Sequence, residues 1–199
     1  MDSTTKPTQR YHHGDLRPEL VRIGRQMIED EVSPSFRGLA RAAKVSHSAP
    51  QHHFPTWGHV LAACAADGYR ELSADLEQVR AASGADPRDA MFRMGDAYLD
   101  FAGRSPVIFR LMFNKSALDV RTEELDREAS AAYGHLASAV RALDPAMTDV
   151  KFDMLINSLW ALIHGMSVLH IEGQVCISPT TTLTTPAFLR SGLAALIAR

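Results

Sequence analysis

The sequence predicts an all-α protein, a small helical head followed by a larger helical bundle. Three observations carry that prediction. Apolar residues recur at three- and four-residue spacing along most of the chain. Prolines and small hydroxyl or acidic residues stand just ahead of those stretches, where helices begin. Residues 37–54, RGLARAAKVSHSAPQHHF, read as a short helix, a tight turn and a second short helix.

Taken in order, residues 1–10 lack an apolar stretch and read as a flexible arm rather than a signal peptide. Asp15 is the expected N-cap of helix one, with Pro18 in its first turn and Leu16, Leu20, Ile23 and Met27 on one face. Ser33-Pro34-Ser35 breaks the chain before helix two. There Phe36, Leu39, Ala40 and Ala43 make the buried side, and Arg37 and Arg41 lie on another. Lys44-Val45 is the turn, Ser46 the expected cap of helix three, and Phe54-Pro55 its end. Thr56 is the expected cap of a long Ala-rich helix. Trp57, Val60, Leu61, Cys64, Ala65, Gly68, Tyr69, Leu72 and Leu76 line one side of it, with Trp57 expected as a wedge between domains.

From residue 83 the chain changes character. Ser83 to Pro87 is hinge-like and ends in a cap and an N1 proline. Helix five carries Met91, Met94, Tyr98 and Phe101. Ser105-Pro106 opens helix six, apolar nearly all round. Helix seven carries Leu125, Ala129, Ala132, Tyr133, Leu136 and Val140. Helix eight runs from about Asp149 to Glu172. A Thr-rich stretch from Gly173 to Thr185 reads as a mobile loop before the last helix, Pro186 to Ala198.

Composition is that of a globular protein: 199 residues, 46% hydrophobic and 22% charged. No unbroken run of about 18 apolar residues exists, so no membrane span or membrane partner is expected. Cys64 and Cys176 read as free thiols in a reducing cytoplasm. The net charge of −2 is unevenly spread. Residues 1–60 hold eight Lys or Arg against six acids, and six of the nine histidines; the remainder holds thirteen against seventeen. A mildly basic head on an acidic body suits a protein that meets phosphate at one end.

The head carries the sharpest pattern. Helix–turn–helix geometry places a second helix in the DNA major groove. Tyr11 to Arg17, Arg37 to Ala43, Val45-Ser46, Ala49-Pro50, His52 to Pro55 and Leu61, in order over roughly residues 11–72, resemble the TetR family of bacterial one-component repressors. The resemblance implies that Arg37 reaches a base. It implies that Ser46, His47, Ser48, Ala49, Gln51 and His52 form the groove face, and that His53 lies near phosphates. The chemistry fits: Gln bonds adenine N6 and N7, Arg bonds guanine O6 and N7, and the Ala49 methyl meets a thymine methyl. Ser48 or Tyr11 can donate to phosphate oxygens. Three residues depart from the family pattern: Gln51 for Tyr, Lys44 for the turn Gly, and Trp57 for a phosphate-touching Lys. Lys44 is therefore expected at positive φ, and with Arg10 as a substitute phosphate contact.

Helix eight is apolar on two sides. Phe152, Leu155, Leu159, Ile163 and Met166 make one stripe; Ala161, Gly165, Val168 and Leu169 make the other. Two apolar sides need two partners. One is the domain core. The other is expected to be a second copy of the chain, packed closely at Ala161 and Gly165, with Leu189 and Leu193 of the last helix completing a four-helix interface. Trp160 to Gly165 also resembles the Trp-His-Gly signature of one TetR effector-domain branch. Met94, Tyr98, Phe101, Met112, Phe113, Tyr133, Trp160 and His164 suit an apolar effector pocket, and equally suit plain core packing.

The expected layout is therefore an arm (1–10), a helix-turn-helix DNA-binding domain (11–56), a connecting helix (57–82) and a ligand-binding and dimerisation domain (83–199). The expected function is a cytoplasmic, homodimeric DNA-binding regulator. It is read as a repressor released from a pseudo-palindromic double-stranded operator by a small apolar or amphipathic effector, with no cofactor. Adjacent histidines diverge by about 100° on a helix and no Cys or carboxylate joins them at ligand spacing, so no metal is expected. Two alternatives stand beside this reading. One is a helical interaction module with degenerate DNA binding. The other is a hydrolase using Ser167 or Ser48, for which no Gly-x-Ser-x-Gly or phosphate-binding glycine loop exists.

Overall fold

Side-chain caps and left-handed turn residues decide where the helices of this chain start and stop. The computed structural model describes residues 16–33, 35–84, 86–175 and 184–198. These form α1 (Leu16–Glu29), α2 (Phe36–Ala42), α3 (Ala49–His53), α4 (Trp57–Ala82), α5 (Pro87–Arg104), α6 (Pro106–Phe113), α7 (Glu123–Leu143), α8 (Asp149–Ile171) and α9 (Thr185–Ile197). No strand occurs among the described residues. Asp15, Cys176 and most of the Thr-rich stretch lie outside them.

Five helices open on an accepting side chain. Ser35 takes the Gly38 amide at 3.0 Å, Asp86 that of Arg88 at 2.9 Å, Thr122 that of Leu125 at 3.1 Å, Thr148 that of Lys151 at 3.3 Å and Thr184 that of Ala187 at 3.4 Å. Each satisfies an otherwise orphaned donor, a contribution of about 1 kcal/mol. Ser46 does not cap α3. The helix begins at Ala49, and the Ser46 carbonyl accepts the Ala49 amide in the turn before it, at 3.0 Å. Nor does the Ser48 hydroxyl cap, because Pro50 has no N–H and the Gln51 amide is taken by the Ser48 carbonyl at 3.1 Å. Thr56 does precede α4, but its hydroxyl pairs with His59 Nδ1 at 2.9 Å rather than with an amide.

Three helices end in Schellman turns around a left-handed residue: Glu31 (φ 54°), Lys44 (φ 57°) and Gly173 (φ 66°). The closing bonds are Val32 N–H to Met27 O (2.9 Å), Val45 N–H to Ala40 O (3.0 Å) and Gln174 N–H to Leu169 O (2.8 Å). Lys44 thus occupies the expected positive-φ position without glycine's freedom.

Helix α4 is the axis of the molecule and packs against α1, α5, α6 and α7. Its sequence suggested one apolar side. Instead Ala62 through Ala66 are all buried, because α1 covers one flank while α5, α6 and α7 cover the others. Methyl-sized side chains allow that close approach. A Cβ on Gly68 would sit 2.6 Å from Ile108 Cγ2 and 2.8 Å from Met112 Sδ, so α4 and α6 pack on bare backbone there. Tyr69 donates its hydroxyl to the Met112 carbonyl at 2.9 Å.

Leu20, Leu39, Ala40, Phe54 and Val60 form the small, fully buried head core. Trp57 meets Phe36 of α2 edge-on at 5.8 Å, which ties the start of α4 to the head. A charged seam joins α1 to the body. Arg25 bonds Asp67 (3.0 Å), Glu71 (2.5 Å) and Glu29 (3.3 Å), Arg17 pairs with Glu124, and Arg70 bonds Asp67 and Glu124, each at 3.1 Å. A cleft of about 940 Å³ lies along it.

Helix α8 is long and apolar enough to cross a membrane by length and composition, although no unbroken apolar run marks it in the sequence. Ile156, Leu159, Ile163, Met166 and Ser167 are its buried residues. The Ser167 hydroxyl donates to the Ile163 carbonyl at 2.9 Å within the helix.

Candidate nucleic-acid interface and effector body

The turn between α2 and α3 projects from the head core as a continuous outer surface. Arg37, Lys44, Ser46, His47, Ser48, Gln51 and His52 are exposed, and Ala49 and His53 are half-buried. Beneath them Pro50 and Phe54 are buried, so α3 is held from one side and open on the other. Local sequence explains this. Ala40 and Ala43 let α3 cross α2 closely, and Val45 packs against the core. The Ser46 and Ser48 hydroxyls lie 3.4 Å apart on the open side. Tyr11 and Arg10 lie outside the described residues.

The charge on this surface is uncompensated. No described carboxylate pairs with Arg37, Arg41 or Lys44. Among the described Lys and Arg residues only Arg88 and Lys115 share that condition; the rest are in ion pairs. Such a surface offers three unpaired cations, two hydroxyls, an amide and imidazoles across α2, the turn and α3. That donor set matches phosphate oxygens and base edges. Groups of three or more potential metal ligands are absent among the described residues.

In the body the expected effector residues separate into three kinds. Met94, Phe101 and Met112 are closely packed core residues rather than pocket lining. Tyr133 lies on the outer side of α7 and is 51% exposed, away from the rest. Helical spacing placed it with Ala129 and Ala132, but only those two turn inward. Tyr98, Phe113, Trp160 and His164 do come together. His164 stands 4.4 Å from the Phe113 ring and 5.8 Å from Trp160, and its Nδ1 is 3.0 Å from the Tyr98 hydroxyl. Burial pushes the His164 pKa down and the Tyr98 hydroxyl well up, so both favour their neutral forms.

Phe109, which the sequence offers among the aromatic residues suited to such a pocket, stacks on His164 at 5.3 Å and 27°. Its signal was present in the all-round apolarity of α6. Beside this cluster a cleft of about 490 Å³ opens between α6 and α8, lined by Phe109, Phe113, Lys115, His164, Val168 and Ile171 among others. Nothing in the sequence marked Lys115.

The expected interface residues also divide. Ala161 and Leu169 are exposed, and a Cβ on Gly165 would meet nothing within 4 Å, so this stripe faces outward. Val168 is half-buried and lines the cleft. Leu189 and Leu193 are fully buried within the chain. A Cβ on Gly95 of α5 would fall 2.8 Å from Leu193 and 3.6 Å from Leu189, so the inner row of α9 is core and not interface. Phe188, one residue round the helix, is 43% exposed.

Comparison with known proteins agrees with this architecture. The family model described as the tetracyclin repressor-like C-terminal domain matches residues 91–196. Among solved structures, a protein of unknown function from Rhodococcus sp. RHA1 aligns with a TM-score of 0.80 at 23% identity, covering 96% of this chain and 98% of its own. A TetR-family transcriptional regulator from Streptomyces coelicolor aligns at 0.70 and 14% identity, covering 94% and 82%. The TetR-family regulator PfmR from Thermus thermophilus aligns at 0.61 and 15%, covering 90% and 97%. No curated protein matches the chain. With more than half its length matched to that domain and this helical architecture throughout, the chain belongs to the tetracycline repressor-like (TetR) family.

Proposed function

We propose that this chain is a sequence-specific, DNA-binding transcriptional regulator that works as a homodimer in the cytoplasm. The observation that carries the reading is the exposed rod from Ser46 to His53, flanked by the unpaired Arg37, Arg41 and Lys44. Arg37, Gln51 and His52 read base edges, while Lys44, Ser48, His53 and Tyr11 hold phosphates. Residues 11–56 act as the DNA-binding domain, 57–82 as the connecting helix and 83–199 as the effector and dimerisation domain.

Dimerisation uses the outward stripe of α8 with α9. Five of the large apolar side chains left exposed lie there: Val150, Met154, Trp160, Leu169 and Phe188. Covering them with a second copy, packed closely at Ala161 and Gly165, also accounts for a helix whose composition would suit a membrane. Two heads then meet half-sites of a pseudo-palindrome spaced by roughly 34–36 Å. Trp160, His164 and Gly165 support placement in the Trp-His-Gly branch.

The chain acts as a repressor, and a small apolar or amphipathic effector bound to the body releases it. The effector does so by binding the released conformation more tightly than the operator-bound one. The test is selection of purified protein against random duplex DNA. An enriched inverted repeat, bound with a steep salt dependence, is the expected outcome. Weak, sequence-blind binding with a shallow salt slope overturns the reading in favour of a helical interaction module.

A further inference from the structure

We infer that the cleft between the C-terminal ends of α6 and α8 is a ligand site for an aromatic monocarboxylate. The inference rests on the regulator reading above and gives its effector a place and a chemistry. Met94, Phe101 and Met112 are packed into the buried core of the body. The open space lies beside them, about 490 Å³, a volume suited to a molecule of one or two rings.

Its apolar walls are Phe109 and Phe113 on one side and Val168 and Ile171 on the other. The two phenylalanine rings, 5.2 Å apart and tilted, offer faces and edges to a flat apolar body. The polar groups are fewer and favour an anion. The Tyr98 hydroxyl stays protonated and needs an acceptor, and the group beside it is His164 Nδ1 at 3.0 Å. With Tyr98 as the donor of that bond, Nδ1 carries the lone pair and the neutral ring its proton on Nε2, an atom with no partner among the described residues. At the mouth, Arg110 and Glu172 neutralise one another at 2.8 Å, whereas Lys115 has no ion pair among the described residues. One free ammonium and one free N–H beside aromatic walls complement a carboxylate on a ring system; a cationic ligand would meet Lys115 unfavourably.

The site also reaches the head. Asn114 and Lys115 begin the segment between α6 and α7. Further along it, Val120 Cγ2 and Asp119 Oδ1 lie 2.7 Å and 2.8 Å from where a Gly58 Cβ would stand. Gly58 is in the first turn of α4, next to α3. A ligand that moves Phe113 to Lys115 thus presses on the end of α4 that adjoins the proposed DNA surface.

The experiment is titration calorimetry of the full chain with 2-naphthoate, 2-naphthylmethanol and 2-naphthylmethylammonium, on wild type and Lys115→Met. Lys115 is exposed, so its replacement leaves the core intact. Naphthoate should bind the wild type, with the alcohol about tenfold weaker. The substitution should weaken naphthoate about tenfold and leave the alcohol unchanged. Absence of saturable naphthoate binding, equal naphthoate affinity in the variant, or preference for the ammonium compound overturns the site. Operator affinity is measured alongside. Naphthoate that binds as expected but leaves operator affinity unchanged upholds the site and overturns its role as the effector site. Operator binding without naphthoate binding overturns the site and leaves the regulator standing.

Discussion

The head and the body of this chain treat their arginines in opposite ways. In the body almost every guanidinium is matched: Arg104 to Asp75, Glu71 and Asp100, Arg190 to Asp96, Arg141 to Asp149. On the outer face of the head, Arg37, Arg41 and Lys44 stand free. The two are not separated by burial, since Arg93 and Arg127 of the body are also exposed yet paired. Neutralised surface charge contributes solubility and a little stability. Unneutralised, clustered charge on a rigid element costs a little self-repulsion and is useful only when an anion arrives. The contrast locates the function more sharply than the net charge does.

Four substitutions or conditions break or sharpen that contrast. The largest effect is expected at Arg25, the most enclosed cation of the seam, whose side chain is 16% exposed. Arg25→Met leaves Glu29 without its partner and Asp67 and Glu71 with only the more exposed Arg70 and Arg104, and should cost about 1–3 kcal/mol in urea denaturation. A loss no greater than that of an exposed pair would mean the seam is only decoration. Arg37→Ala should do the reverse. It should leave stability within about 0.5 kcal/mol while costing about 1–3 kcal/mol of operator affinity and relaxing preference at one base position. Competition binding with single-base variants of the selected repeat reads this directly.

Lys44→Gly splits the two quantities in opposite directions. Relieving a left-handed lysine should raise stability by about 0.5–1 kcal/mol, while loss of one phosphate contact lowers the salt slope by about one. A variant that gains stability and keeps its full slope shows that Lys44 does not touch DNA.

The smallest effect is a pH dependence at His164. Its folded pKa lies below the ordinary value of 6.5 because burial disfavours the charged ring. As pH falls below 6.5 the unfolded chain takes the proton first, so this part of the stability is full above that value. It is lost progressively as pH falls toward the folded pKa. His164→Gln should flatten the stability curve between pH 6.5 and the acid side, measured by thermal denaturation. An unchanged curve would place the titration elsewhere. Cys64, a buried thiol pushed up to about 12 by desolvation, should stay inert to alkylation throughout.

Much of the chain was legible because its signals are local. A cap such as Asp86 with Pro87, or the Thr148 start of α8, is decided by a hydroxyl or carboxylate two or three residues from the amide it meets. The positive φ of Lys44 follows from a turn with a fixed hydrogen-bond pattern. The exposed face of α3 follows from the spacing of Pro50 and Phe54. Ser46 misled because two short turns in succession compete for the same amides, and only their joint geometry decides which hydroxyl is left over.

What required the fold was every choice between two faces of one helix. Periodicity says that a helix has an apolar side, but not what lies against it. Leu189 and Leu193 could have met a partner chain; α5 meets them instead. Tyr133 could have entered a pocket; the inward row of α7 leaves it in solvent. Lys115 and Phe109 come to one cleft from an irregular turn and a short helix, a juxtaposition that no spacing in the sequence encodes. Helix boundaries and turn conformations are thus set by neighbours along the chain. Sites and interfaces depend on which helices pack together, and that is decided by the burial of the whole chain at once.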